Sequence, residues 1–247
     1  MLPTIELYNA LRVAEQNNLF TELQKTYDQL PKTSCKNCAS CCNWGSPPAF
    51  FIEYLNMYKY VRDNLKDYWS EFLTRSAEYF YLELVDQNQT CPFIGQDNKC
   101  MIYEVRPLTC RFYGLVSKKE FEIGDRNRGL NLLAQKLWDD YQIKVPEEIA
   151  NGVLPWCGNV RNQTRKRIKK DTLAGVASQV GKLDARFFPE QLVDSEGTML
   201  PYPVHLMNTV LGDGSRARKL KIMKEFADQG TKELLAPIVT KASSYEF

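Results

Sequence analysis

The chain has 247 residues, 44% hydrophobic and 25% charged, with a formal net charge of +2. That balance excludes a disordered tail or a membrane bundle and leaves enough apolar sequence for one sizeable core. So small a net charge provides no whole-molecule field to steer nucleic acid or an anionic membrane, and eight cysteines are too sparse for a small disulfide scaffold.

Residues 1–6 carry no basic segment, and Glu6, Glu15 and Gln16 interrupt any apolar run long enough for an export signal. The most apolar stretches are interrupted by Glu53 and Glu83 and fall short of the roughly 20 residues that span a bilayer. A cytoplasmic protein without membrane insertion is therefore expected.

In residues 4–30, apolar side chains at mostly helical intervals predict one or two helices, broken near Asn17-Asn18 and stopped by Pro31. An irregular cysteine loop follows over residues 32–43. Ser46-Pro47-Pro48 reads as a helix start, with a hydroxyl cap and prolines whose missing N–H is harmless in a first turn. From residue 49 to 85 an aromatic stripe keeps to a helical face, with a break expected near Asp67 or Ser76. Those rings are better read as core than as a cofactor cover.

Residues 90–114 are turn-rich, and Gly95-Gln96-Asp97-Asn98 reads as the turn of a small hairpin. Further helices are expected over residues 128–141, 147–150, 170–180, 216–227 and 231–242. The fold class is mainly α: a helical domain with irregular cysteine-bearing loops and a small β-hairpin around a metal centre. Two parts are expected, a cysteine-cluster metal-binding domain over 1–160 with N-terminal helices, and a C-terminal helical extension over 161–247 packed on it.

The first cysteine group is Cys35-x2-Cys38-x2-Cys41-Cys42. Two-residue spacers let a curling backbone aim successive thiolates at one centre, a spacing shared by zinc and iron–sulfur sites. Vicinal Cys41 and Cys42 cannot both comfortably face one ion, so one could serve a second site, stay free or act in redox chemistry. The second group is Cys91, Cys100 and Cys110, with Cys157 later. A hairpin would join Cys91 to Cys100, and Pro107 would turn the chain to bring in Cys110. All eight are candidate metal ligands, enough for two four-thiolate sites.

Those motifs, together with Cys91-Pro92-Phe93, Cys100-Met101-Ile102-Tyr103-Glu104-Val105-Arg106-Pro107 and Cys110-Arg111-Phe112-Tyr113, resemble the YkgJ-type cysteine-cluster family of zinc- or iron-chelating or iron–sulfur proteins. The resemblance covers residues 35–114, about a third of the chain. That family usually has a glycine just before the middle cysteine, whereas this chain has Asp97-Asn98-Lys99 there and its glycine at Gly95. The family includes proteins similar to flagellin lysine-N-methylase, so the resemblance implies S-adenosylmethionine and a protein substrate as further possibilities.

All-thiolate ligation, the ferredoxin-like spacing and a single histidine favour an iron–sulfur cluster, of 4Fe–4S type, over the alternative of zinc. Arg106 and Arg111 flank Cys110 and would lower the net charge of a thiolate centre, or simply brace the loop through backbone carbonyls. Tyr103 and Tyr113 read as packing residues. His205, unaccompanied in apolar surroundings, reads as structural.

Residues 161–170 and 216–221 are the densest basic blocks. A protein partner fits them better than nucleic acid, and a solvated helix face is the blander reading. There is no nucleophile elbow, Rossmann or Walker fingerprint. The two functional expectations are an iron–sulfur protein with a redox or substrate-activating role and a zinc-stabilised interaction module.

Overall fold

The computed structural model describes residues 4–122, 128–162, 168–188 and 199–247. The architecture is mainly helical, as expected. Helices α1 (Thr4–Gln16) and α2 (Leu19–Tyr27) are separated at Asn17-Asn18, where Asn18 takes a left-handed φ of 55°. Asparagine adopts that conformation more readily than most residues, which explains why the break falls there.

The helix expected after Ser46 begins instead at Phe51. Pro48–Ala49 forms a short strand, β2, paired antiparallel with Leu200–Pro201, and the Ser46 N–H donates to Tyr79 Oη at 3.1 Å. Helix α3 (Phe51–Asn64) takes its N-terminal acceptors from elsewhere. Asp184 accepts the N–H groups of Phe51 and Ile52 at 2.9 and 2.8 Å, and Glu53 accepts that of Phe50 at 2.9 Å. These carboxylates satisfy donors that a first turn leaves free, so the serine cap is unnecessary.

The aromatic region breaks once, at the 3₁₀ turn Lys66–Tyr68, and α4 (Trp69–Leu82) continues through the fully buried Ser76. Later come α5 (Leu108–Phe112), α6 (Lys118–Glu122), α7 (Arg128–Tyr141), α8 (Glu147–Ala150), α9 (Lys170–Asp184), α10 (Tyr202–Leu211), α11 (Lys219–Gln229) and α12 (Ala236–Ser243). Helix α10 lies outside the helices expected from the sequence, and its start carries Pro201 and Pro203. Both sit where a helix tolerates proline, at the cap and in the first turn. Helix α12 starts later than expected because the Glu225 carboxylate holds the intervening loop, accepting from Thr231 Oγ1 and the N–H groups of Glu233 and Leu234 at 2.7, 2.6 and 2.9 Å.

Helix α4 is central, packing against α10, α11 and α12, while α3 packs against α1, α2 and α9. One apolar core runs through these helices from Leu7 to Ala242, with Tyr54, Tyr58, Phe72, Phe80, Phe93 and Tyr202 fully buried. Phe93, two residues after Cys91, lies 5.1 Å from the Phe72 ring and 4.6 Å from Tyr202, so the cysteine-bearing hairpin is anchored in this core. No helix among the described residues is long and apolar enough to cross a membrane.

His205 stacks on Tyr54 at 4.9 Å, its Nε2 3.2 Å from the Ala49 carbonyl. The imidazole is a core residue, and burial pushes its pKa down from 6.5 to about 4. Below 6.5 the unfolded chain takes up a proton that the native ring refuses, so stability is lost as pH falls from 6.5 toward 4. Between pH 7 and pH 5 this residue alone is expected to remove about 2 kcal/mol. Urea titrations of the wild type and His205→Asn should show that extra acid sensitivity in the wild type only; equal slopes would contradict it.

Candidate metal centre

The first cysteine group curls because each two-residue spacer contains a left-handed residue. Asn37, between Cys35 and Cys38, has φ 54°, and Ala39, between Cys38 and Cys41, has φ 56°. For alanine that conformation costs roughly 1–2 kcal/mol, strain that the surrounding loop must hold. The Asn37 N–H points at Cys35 Sγ at 3.3 Å, and Ser40 Oγ lies 3.5 Å from Cys38 Sγ. The turn closes with Asn43 N–H donating to the Ala39 carbonyl at 2.8 Å.

The second group meets the first through its backbone: the Cys91 N–H donates to the Cys42 carbonyl at 2.8 Å. Arg75 on α4 fixes the same segment, donating from Nη2 to the Cys91 carbonyl at 3.0 Å and from Nη1 to the Ile94 carbonyl at 2.7 Å. The hairpin forms around an Ile94–Cys100 bridge, with Gly95 N–H bonded to the Lys99 carbonyl at 2.8 Å. Asn98, where the family pattern puts its glycine nearby, takes φ 61° itself.

Cys110 lies on α5, whose first N–H, that of Leu108, donates to Glu53 Oε1 at 2.6 Å. Tyr27 Oη donates to the same oxygen at 2.5 Å, and burial lifts the Glu53 pKa to about 7. The cysteine helix is thus tied to α2 and α3 through one buried carboxylate that sequence periodicity assigned only to interrupting an apolar run.

Cys157 is brought beside the first group and, with it, Cys100 of the second. Strand β1 (Thr33–Ser34) pairs antiparallel with β3 (Arg161–Asn162), which lays the 157–160 segment beside the Cys35 loop. Gly114 has φ 78°, and a Cβ there would sit 2.7 Å from Val160 Cβ, so glycine is what permits this approach. Tyr113 Oη donates to the Pro155 carbonyl and Trp156 Nε1 to the Val116 carbonyl at 3.3 Å, holding the segment in place.

Cys35, Cys38, Cys41, Cys42, Cys100 and Cys157 line a chamber of about 40 Å³, with Tyr103 and Tyr113 on its wall. Cys91 and Cys110 are not among its lining residues. All eight thiols are free, Cys35 and Cys38 exposed and the others half-buried. The Cys41 and Cys42 sulfurs are 3.9 Å apart, against about 2.05 Å in a disulfide. Among the described residues, no three Cys, His, Asp or Glu side chains stand in the positions of one ion's ligands.

The thiols differ in acidity. The Ser40 hydroxyl lowers the Cys38 pKa, whereas the hydrogen bond with Cys42, together with burial, raises that of Cys41. Burial pushes Cys91 up to about 12 and raises Cys100 and Cys110, the last also feeling Cys91, Cys100 and Cys41. Buried neighbouring thiols give up their protons when a cation replaces them. The donor set is all sulfur, since His205 is committed to Ala49, and Arg106 Nε is buried near it without an acceptor. A thiophilic cation and its bound sulfurs suit both observations.

Among the basic residues, Lys219 is paired internally, 2.8 Å from Glu83 and 4.6 Å from the Phe80 ring centroid. Residues 163–167 of the other basic block lie outside the described residues.

These features define a cysteine-cluster segment carried on a helical core. Residues 34–127 match the CxxCxxCC family, described as a "putative zinc- or iron-chelating domain", and the resemblance read from the motifs holds over that segment. No curated protein and no solved structure matches the chain.

Proposed function

We propose that the clustered thiolates hold an iron–sulfur cluster used in electron transfer or redox sensing. The observation that carries this reading is the meeting of two distant cysteine groups at one chamber, with six thiols on its wall and the Cys91–Cys42 hydrogen bond beside it. Iron–sulfur clusters are held by cysteine thiolates, and hydrogen bonds to their sulfurs and nearby charge tune their potential. Donors of that kind are present in Asn37 and Ser40, and the Arg106 guanidinium supplies nearby charge.

The small chamber favours a second reading, a structural zinc ion. About 40 Å³ is the scale of an ion, whereas pockets for larger organic cofactors span roughly 300–1,000 Å³. In the zinc reading the metal stabilises the loops, and the basic face near α11 is left to contact a protein partner. The same volume favours an inorganic centre over S-adenosylmethionine at the cysteines themselves.

Metal analysis of anaerobically purified protein tests both readings. Iron with acid-labile sulfide and broad absorption at about 400 nm is expected for the cluster. Colourless protein with stoichiometric zinc would overturn the first reading in favour of the second, and protein with neither metal would overturn both.

A further inference from the structure

Arg106 and Arg111 flank the same cysteine, and the structure gives them different work. Arg111 is spent on the backbone: Nε donates to the Arg106 carbonyl at 2.9 Å and Nη2 to the Glu104 carbonyl at 2.6 Å, with the guanidinium 4.0 Å from the Tyr27 ring centroid. It is the strut of the loop entering α5. Arg106 is held differently. Its guanidinium carbon lies over the Tyr103 ring, 3.8 Å from the centroid, and Nη2 donates to Thr33 Oγ1 at 2.7 Å, two residues before Cys35. Its Nε is buried and has no acceptor.

An orphaned buried guanidinium N–H is costly, and native structures rarely leave one. The positive charge of Arg106 acts on Cys100 and Cys110, opposing the effect of burial on both. The Tyr103 and Thr33 contacts thus position a cation beside the second cysteine group while leaving one donor unused. The acceptor such a donor would find is negatively charged sulfur: a divalent ion with four thiolates keeps two negative charges, and a guanidinium carries its charge in a fixed fork of N–H donors.

We propose that Arg106 is the charge-compensating donor of the metal centre, its Nε–H serving a thiolate sulfur there and its guanidinium offsetting the negative charge of the ligand set. This inference rests on the metal-chelating reading but not on the choice between zinc and iron. Arg106 is accordingly a positioning residue for the centre rather than a ligand.

The test measures zinc(II) affinity of the full-length reduced chain by chelator competition, in the wild type, Arg106→Gln, Arg106→Lys and Thr33→Val. Loss of a residue that supports metal ligands typically weakens metal binding about 10- to 100-fold, and that loss is expected for Arg106→Gln. Arg106→Lys should recover part of it, since the charge is retained and the fork is lost. Thr33→Val removes only the outer tether and should stay within about twofold of wild type, well short of the loss expected at Arg106. Arg106→Gln or Arg106→Lys binding zinc as tightly as wild type would overturn the proposal. So would an equal loss in Thr33→Val, which would make Arg106 a loop strut like Arg111. A wild-type chain that binds no zinc or iron would instead remove the metal reading on which the proposal stands.

Discussion

Cys100→Ala is expected to lower metal affinity by more than about a hundredfold, beyond what a lost supporting residue costs, and to lower the melting temperature of the metal-loaded chain. Cys100 sits where several constraints meet. It closes the hairpin bridge with Ile94, it lines the chamber with the first cysteine group, and its thiol interacts with Cys41 and Cys35. Metal binding and folding are linked, so a missing thiolate is read twice, in metal content and in stability. Cys38→Ala should lose metal as well, with a smaller thermal effect in the metal-free chain because Cys38 is exposed and contributes little packing. Metal analysis and melting curves with and without a chelator make the comparison. If both variants keep wild-type metal content, neither residue is an essential ligand.

Asp184→Ala is expected to cost about 4 kcal/mol, since it strands two buried N–H groups at roughly 1–3 kcal/mol each and removes a helix cap. The carboxylate is fully buried and bonds Phe51 and Ile52, so it joins the end of α9 to the start of α3. Asp184→Asn keeps one acceptor and should lose about half as much. Urea unfolding monitored by tryptophan fluorescence measures both. An alanine variant within about 1 kcal/mol of wild type would mean that water replaces the carboxylate at that helix end, as it does at exposed caps.

What the sequence alone determined is whatever depends on neighbours within a turn or two. Apolar periodicity and the Asn17-Asn18 punctuation gave α1, α2 and the bounds of α7 and α8, because a helix buries one face and asparagine accepts a left-handed φ. The cysteine motifs and their kind of chemistry were legible for the same reason, since two-residue spacers force the backbone to curl. The tertiary structure decided everything that depends on partners far along the chain. Ser46 failed as a cap because Asp184, over 130 residues away, supplies the acceptors for α3. Cys157 came beside the first cysteine group through the β1–β3 pairing and the space left by Gly114, neither visible in local spacing. The separate surroundings of Arg106 and Arg111, identical in charge and five residues apart, likewise follow only from which carbonyls, hydroxyls and rings the fold brought to each, because a side chain's contacts are set by the groups within its reach.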